Sequence, residues 1–382
     1  QFFQFASVVA GGAYDHACSS PAFSSTSSFF YPSVGLSGVI SEMIQMPSFI
    51  DYMKVRGSFS SVGMPYPRNL TSPTYEYNEA TQSWKPKTHY PIGDLKPERT
   101  DSWEVGLDMK LFKDFNLGLS WYLANTFNQT FDPQISVSSG YTTIYLQTGY
   151  VRNTGLELSL GYGHTWNNNF RWDSNFTLSH NKNKIKELVR DYVHPETGEL
   201  INKDRLDVGG LGKARFILKE GGTLGDLYTQ SDLKRDDNGM VDIDPTGIVA
   251  IENNLPDIKL GSVFPKANLA WSNHFSWKGI SLSALFTARI GGIVYSATEA
   301  AMDQYGVSER SALARDNGGV LVNNRTLVDA QNYYTTIGSE SGLPQYYTYN
   351  ATNVRLQEAS IGYLIPRKWL GNVCDIQVSV IG

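Results

Sequence analysis

The sequence is poor in the groups that build reactive clusters. Only two cysteines occur, Cys18 and Cys374, at opposite ends of a 382-residue chain. Their separation fits no metal or redox motif, so they read as unpaired thiols. The six histidines, His16, His89, His164, His180, His194 and His274, form no H-x-H or H-E-x-x-H pair, which removes the usual route to a zinc site. A surplus of one charge is missing too: 32 basic against 37 acidic residues leave a net charge of -5, without a block of like charge. Nucleic acid is therefore excluded as a natural partner. Long hydrophobic runs are also absent. The longest apolar stretch, near Phe2 to Ala13, is interrupted by Gln4 and Ser7 and falls short of the roughly 18 residues of a membrane-crossing helix. Gln1 opens the chain with neither an initiator Met nor a basic leader, so the expectation is a processed or truncated piece of a longer protein.

What the chain has in quantity is glycine and aromatic residues: 35 Gly, 22 Tyr, 18 Phe and 8 Trp. Such a load suits tightly turning strands with amphipathic rings at an interface. The hydrophobic pattern alternates with period two. Trp103, Val105, Leu107, Met109 and Leu111 share one face opposite Ser102, Glu104, Gly106, Asp108 and Lys110, as a half-apolar strand requires. The pattern recurs at Leu117, Leu119, Trp121 and Leu123, at Leu156, Leu158, Leu160 and Tyr162, at Trp172, Phe176 and Leu178, and at Ile280, Leu282, Ala284 and Phe286. Soluble sandwiches alternate as well. These runs, however, extend over about 9 to 13 residues, where soluble strands average about 5 or 6 and a tilted membrane strand needs about 9 to 11.

Connections sharpen the distinction. Short ones fall at Glu42 to Tyr52, Phe112 to Phe115, Thr165 to Phe170, Asn273 to Lys278 and Pro366 to Val373. Long polar ones fall at Met64 to Pro97, Thr130 to Tyr150, Lys182 to Asp257 and Gly291 to Thr352. Unequal rims of this kind mark an outer-membrane barrel. Aromatics crowd the short-turn rim, among them Phe49, Phe112, Phe115, Trp166, Phe170, Trp172, Trp271, Phe275, Trp277 and Trp369, as in an interfacial girdle. The fold class is all-β, a transmembrane antiparallel β-barrel. Strands are expected near 29–41, 53–63, 98–111, 116–129, 151–163, 171–181, 258–272, 280–290, 353–365 and 374–382, with room for a further hairpin within 182–257.

No catalytic constellation emerges. Ser231-Asp-Leu-Lys234 satisfies S-x-x-K but lacks its S-D-N and K-T-G companions. Asp236-Asp-Asn-Gly239 resembles a calcium loop, yet alignment on the glycine puts Lys234 and Pro245 at ligand positions, so a turn is the better reading. Gly209-Gly-Leu-Gly-Lys213 lacks phosphate-loop spacing. No catalytic residue, metal ligand or cofactor is assigned. Candidate binding residues are instead the clustered loop aromatics: Tyr75, Tyr77, Trp84 and Tyr90 in one loop, Tyr333, Tyr334, Tyr346 and Tyr347 in another, with Tyr349 beside them. Flat rings bordered by Asn, Asp and Arg suit sugar faces or peptide side chains. Equally, such rings pack loops together or seat a partner protein.

Several segments resemble SusC-like TonB-dependent outer-membrane transporters: Phe29-Phe-Tyr-Pro-Ser-Val-Gly-Leu-Ser37, Val39-Ile-Ser-Glu42, Met46-Pro-Ser-Phe-Ile-Asp-Tyr-Met-Lys-Val-Arg-Gly-Ser-Phe59 with Val62-Gly63, and Leu95-Lys-Pro-Glu-Arg-Thr-Asp-Ser-Trp-Glu-Val-Gly-Leu-Asp108. Asn153-Thr-Gly-Leu-Glu-Leu158, Gly291-Gly292 after Arg289, and Ala314-Arg-Asp-Asn-Gly-Gly319 extend the resemblance. It covers residues 29–382 as barrel strands with long extracellular loops, and leaves 1–28 as a loop or divergent strand. The resemblance implies a barrel of about 22 strands with a plugged lumen, in the outer membrane of a Gram-negative cell. It implies import of oligosaccharides or peptides, energised through TonB and assisted by a SusD-like surface lipoprotein. The plug, the TonB-contacting segment and a terminal aromatic strand are not matched, and the expectation is that a missing portion completes the barrel. A passive porin or scaffold barrel is the alternative function, and an outer-membrane hydrolase a third.

Overall fold

The computed structural model describes residues 6–16, 28–64, 75–79, 81–86, 89–90, 97–131, 143–144, 146–147, 149–166, 170–193, 200–339 and 341–382. Its main body is one antiparallel sheet of 11 strands in which spatial order follows chain order. The strands are β1 (Ala6–His16), β2 (Ser28–Val39), β3 (Ile50–Met64), β4 (Glu98–Leu111), β5 (Phe115–Phe127), β6 (Tyr150–Trp166), β7 (Phe170–Glu187), β8 (Ala267–Trp277), β9 (Ile280–Ile290), β10 (Asn353–Ile365) and β11 (Ile376–Ile381). No helix among the described residues is long and apolar enough to cross a membrane. β1 and β11 form the two edges.

The alternation sets the two faces. Across the sheet, Val55, Leu107, Leu119, Leu158, Leu178 and Leu269 form one continuous row of cross-strand partners. Trp103, Val105, Trp121, Leu156, Leu160, Trp271, Leu282 and Phe286 share that face and are exposed. The opposite face is polar. Arg56 bridges Asp108 at 2.9 Å and Glu104 at 3.2 Å, and donates to Ser120 at 2.5 Å. Glycines in this polar wall leave space for large neighbours: a Cβ on Gly106 would strike the Arg56 side chain, and one on Gly155 the Tyr122 ring. At one rim the strands are joined tightly. Lys278 and Gly279, both at positive φ, connect β8 to β9, the two-residue hairpin whose twist matches the strands. Trp166, Phe170, Tyr162, Trp172 and Phe275 pack ring to ring at this rim. From Trp166 to Leu156 the apolar face spans about 25 Å of height, at ~3.3 Å per residue and a tilt near 40°.

Of the two alternatives for residues 1–28, residues 6–16 take the strand, registered on β2 from Ala6↔Gly38 to His16↔Ser28. Several boundaries differ from the sequence expectation. β7 runs to Glu187 rather than 181, and the connection expected over Asn273 to Lys278 shrinks to Lys278 and Gly279 because β8 continues to Trp277. The expected strand 258–272 is divided: Ile258–Ser262 joins a separate small sheet, and β8 begins at Ala267. Two glycines at positive φ, Gly291 and Gly292, turn the chain out of β9 beside this break. The last strand starts at Ile376 rather than 374. Arg367 and Asp375 pair across the preceding turn.

The long connections β7–β8 and β9–β10 fold together into a cap. Its sheet orders Arg205–Leu211, Ala214–Lys219, Asp226–Thr229 and Ile258–Ser262 as neighbours. Its helices are α1 (Ala297–Gln304), α2 (Glu309–Asp316) and α3 (Ala330–Ile337). Each starts at a polar cap, Ser296, Ser308 or Asp329, whose side chain accepts a backbone N–H three residues on. Leu233, Val241 and Val249 from the first connection pack with Ala300, Val322, Val328, Tyr334, Ile337, Leu343 and Tyr347 from the second.

Candidate functional site

The cap core contains one buried charge cluster. Asp303, on α1, is 1 % exposed. Tyr347 Oη donates to it at 2.9 Å, Arg310 of α2 pairs with it at 2.5 Å, and Ser308 Oγ donates to it as well. The Arg310 guanidinium lies 4.8 Å from the Tyr347 ring centroid and reaches Glu299 at 3.5 Å. A buried carboxylate is tolerable only when paired and hydrogen-bonded in this way. Burial, reinforced by Asp303, holds the Tyr347 phenol well above its ordinary range. A second cluster fastens the cap sheet. Asp257 receives Arg205 Nε at 2.7 Å and Lys219 Nζ at 2.9 Å, and Arg205 leads the effects that hold its carboxyl well below the usual range. Asp226 is buried and pairs with Lys259 at 2.5 Å.

Two tandem turns project from this cap. Asp236 accepts from the backbone N–H of Asn238 and Met240 at 2.9 Å each, which supports the turn reading of this segment. Asp244 repeats the device with Thr246 and Ile248. Backbone bonds Asp242 N→Lys234 O, Ala250 N→Asp242 O and Lys234 N→Ala250 O join the two turns and their base in a closed ring.

The structure separates the candidate aromatics into four groups. Tyr77 and Trp84 are cross-strand partners in the ribbon Tyr75–Asn78 and Ser83–Pro86. Their rings are 5.1 Å apart and remain 46 % and 66 % exposed, so this pair offers a free aromatic surface. Tyr75 stands opposite Pro86, and Tyr90 opposite Ile144; their side chains lie outside the described residues. Tyr334 and Tyr347 are core residues, at 9 % and 0 % exposure. In this arrangement they hold the cap together and present no ring for binding, which corrects the expectation of a contact surface at these two positions. Tyr333 and Tyr346 flank them, partly buried against the same core. Burial, with Tyr346 and Tyr334 nearby, pushes the Tyr333 phenol up to about 12.

Sequence reading missed the Asp303–Arg310–Ser308 cluster, because its members share no spacing motif and only folding of α1 onto α2 unites them. The tandem turns carried a readable signal. Asp236-Asp-Asn-Gly-Met-Val-Asp-Ile243 is followed directly by Asp244-Pro-Thr-Gly-Ile-Val-Ala-Ile251, an eight-residue repeat. No group of three or more metal-ligating side chains occurs among the described residues.

Comparison with known proteins agrees with this architecture. A family model described as TonB dependent receptor-like, beta-barrel matches residues 3–352. TonB-dependent receptor P39 of Formosa agariphila is 28% identical over 211 residues, covering 53% of this chain and 18% of that protein. TonB-dependent receptor P3 of the same organism is 25% identical over 309 residues, covering 74% of this chain and 29% of that protein. Among solved structures, the RagAB peptide transporter superposes with a TM-score of 0.75 at 18% identity, covering 99% of this chain and 42% of that one. The chain thus spans less than a third of the length of these curated relatives.

Proposed function

Because the chain belongs to the TonB-dependent receptor-like β-barrel family, whose members are outer-membrane transporters and not enzymes, we propose that the complete protein imports bulky nutrients across the outer membrane. The cargo class is oligosaccharide or peptide. Energy is supplied through TonB, and a SusD-like surface lipoprotein assists capture. The observation that carries this reading is the folded cap on the long-connection rim, seated beside a polar wall. A freely diffusing pore has no need of a cap with its own buried core, whereas a capture-and-release importer needs a structured surface that binds on one side before release on the other. The peptide class draws support from the fold shared with the RagAB peptide transporter. In this reading the strands beyond β1 and β11 come from the rest of the complete protein, since an open strand edge is not viable in lipid.

The exposed Tyr77–Trp84 pair is the proposed contact for cargo or lid, with rings that stack on sugars or apolar peptide side chains. Deleting the gene and following labelled oligosaccharide and peptide pools into cells tests the proposal, followed by complementation with a protein whose TonB-contacting segment is disabled. Uptake should be lost in both. Wild-type uptake through the disabled protein would instead establish the passive-pore alternative, and cargo cleavage by the purified barrel would establish the hydrolase.

A further inference from the structure

One strand carries a complete membrane profile on a single face. Along β7, Phe170 and Trp172 stand at the short-turn rim. Ser174, whose hydroxyl accepts from Trp271 Nε1 at 3.0 Å, comes next, then Phe176 and Leu178 follow, and the same alternate positions become His180, Lys182 and Lys184. Lys186 comes next at a bulge, where Val151 pairs with Ile185 and Tyr150 with Glu187. The register carries the basic zone sideways. Arg152 of β6 is the direct partner of Lys184, and Thr154 the partner of Lys182. All of these positions share the face of Leu158 and Leu178, which belongs to lipid. Lys182 lies four residues beyond Leu178, about 10 Å higher across a tilted strand. The cations therefore face outward at headgroup level, not inward at the lumen.

The electrostatics of this arrangement are incomplete. Like charges placed directly opposite on neighbouring strands repel, with Cβ atoms about 4.5–5.5 Å apart. Arg152 opposite Lys184 is such a pair. Among the described residues no carboxylate lies within ion-pairing distance of Arg152, Lys182 or Lys184. The nearest acid in the same cross-strand row, Asp101, is already engaged by both Arg99 Nε at 2.8 Å and its terminal nitrogen at 2.6 Å. Arg152 is held in place by neutral acceptors, Asn125 Oδ1 at 2.9 Å and the Tyr150 hydroxyl, which fix its position without neutralising it. Glu187, the cross-strand partner of Tyr150, is the next acid along β7 and makes no ion pair with these three cations, so among the described residues the basic surface has no paired anion.

We propose that Arg152, Lys182 and Lys184 form a binding site for the phosphate groups of outer-leaflet lipid headgroups. The identification rests on position and chemistry. The outward face at this height meets headgroups, and a guanidinium beside two ammonium groups matches a phosphate with several acceptor oxygens. His180 sits one step lower, toward the acyl boundary. The site follows from the outer-membrane placement of the barrel and does not depend on what the barrel imports.

The test uses the complete protein in phosphatidylcholine nanodiscs containing either phosphatidic acid or diacylglycerol, which has similar tails and no phosphate. Native mass spectrometry after partial delipidation counts the molecules retained. Wild type should hold phosphatidic acid preferentially. The variant R152Q/K182Q/K184Q should lower that retention by about fivefold for each charge removed. K54Q, on the polar wall, should leave it unchanged. K184E places the missing anion opposite Arg152, so this barrel should remain folded, with heat stability at least equal to wild type, while its lipid preference falls. Unchanged retention in the triple variant overturns the site, as does an equal loss in K54Q. Loss of an acidic partner protein with lipid retention intact overturns it in favour of a protein interface. Cargo uptake, measured in parallel, bears on the import reading alone: uptake that fails while lipid retention persists counts against import and leaves the lipid site standing.

Discussion

The sheet and the cap apply the same hydrophobic chemistry to opposite ends. In the sheet, Trp103, Val105, Trp121 and Leu156 turn outward and exposed, while Arg56, Glu104 and Asp108 pair on the other side. In the cap, Leu233, Val249, Ile337, Leu343 and Tyr347 are buried and the charges lie mainly outside. The difference lies in the solvent. Lipid removes the drive to bury an apolar face, and the sheet needs only closed backbone bonding. Water restores that drive, so a loop long enough to gather a core does so.

The contrast is broken most severely at Tyr347. Tyr347→Ala removes a fully buried ring and one partner of Asp303, and should destabilise the cap by about 3–5 kcal/mol. Limited proteolysis should then cut within 291–352 while the barrel keeps its heat-modifiable mobility on gels. A simultaneous loss of barrel assembly would show that the two regions fold as one unit.

Next in size is an intrusion into the lipid face. Leu107→Arg should cost about 2–4 kcal/mol when the side chain lies near mid-membrane. Asp108→Asn, one residue away on the polar wall, keeps a hydrogen-bonding partner for Arg56 and should stay within about 1 kcal/mol. Equal damage in urea-unfolding titrations from bilayers would refute the assignment of faces.

Alkali should loosen the cap before the sheet. The folded cap favours the protonated Tyr333 phenol, raised to about 12 chiefly by burial, over an unfolded value near 10. Its contribution is therefore fully present below about pH 10 and disappears as pH rises through about 12. Tyrosinate absorbance followed with protease sensitivity checks this, and the sheet signal by circular dichroism should persist through that interval.

The smallest structural effect belongs to the exposed pair. Trp84→Ala should change stability by no more than about 0.5 kcal/mol, yet weaken cargo or lid contact measured by calorimetry. Unchanged affinity for both would remove the Tyr77–Trp84 pair from the proposed surface.

The sheet was readable because each strand declares itself locally. A period of two between Ser102 and Leu111 forces the two faces apart whatever lies elsewhere in the chain; the end of β8 was less legible, because the run Asn273-His-Phe-Ser276 is polar enough to read as a connection. The cap was not readable by the same means. Its core joins Val241 and Val249 to Tyr334 and Tyr347, from connections separated by strands β8 and β9, and no local period announces a partner that far away. The adjacent pairs Tyr333–Tyr334 and Tyr346–Tyr347 show the limit clearly. One ring in each is deeply buried and its neighbour less so, a choice made by packing. Tyr77 and Trp84, which pair locally across a ribbon, are the candidates whose rings stay exposed.

The paired turns that begin at Asp236 and Asp244 bear on how such a loop changes over evolutionary time. Each closes through its own aspartate, and the backbone bonds among Lys234, Asp242 and Ala250 run in a closed ring, each N–H donating to a carbonyl of another member. Val241 and Val249 are both held in the cap core. A ring has no free end to which a further repeat could be joined, so adding or removing one turn requires all three bonds to be rebuilt together. Variation is accordingly confined to the exposed turn tips at 237–239 and 245–246, where a lineage can change the outermost side chains while the ring and the wall beneath it stay as they are.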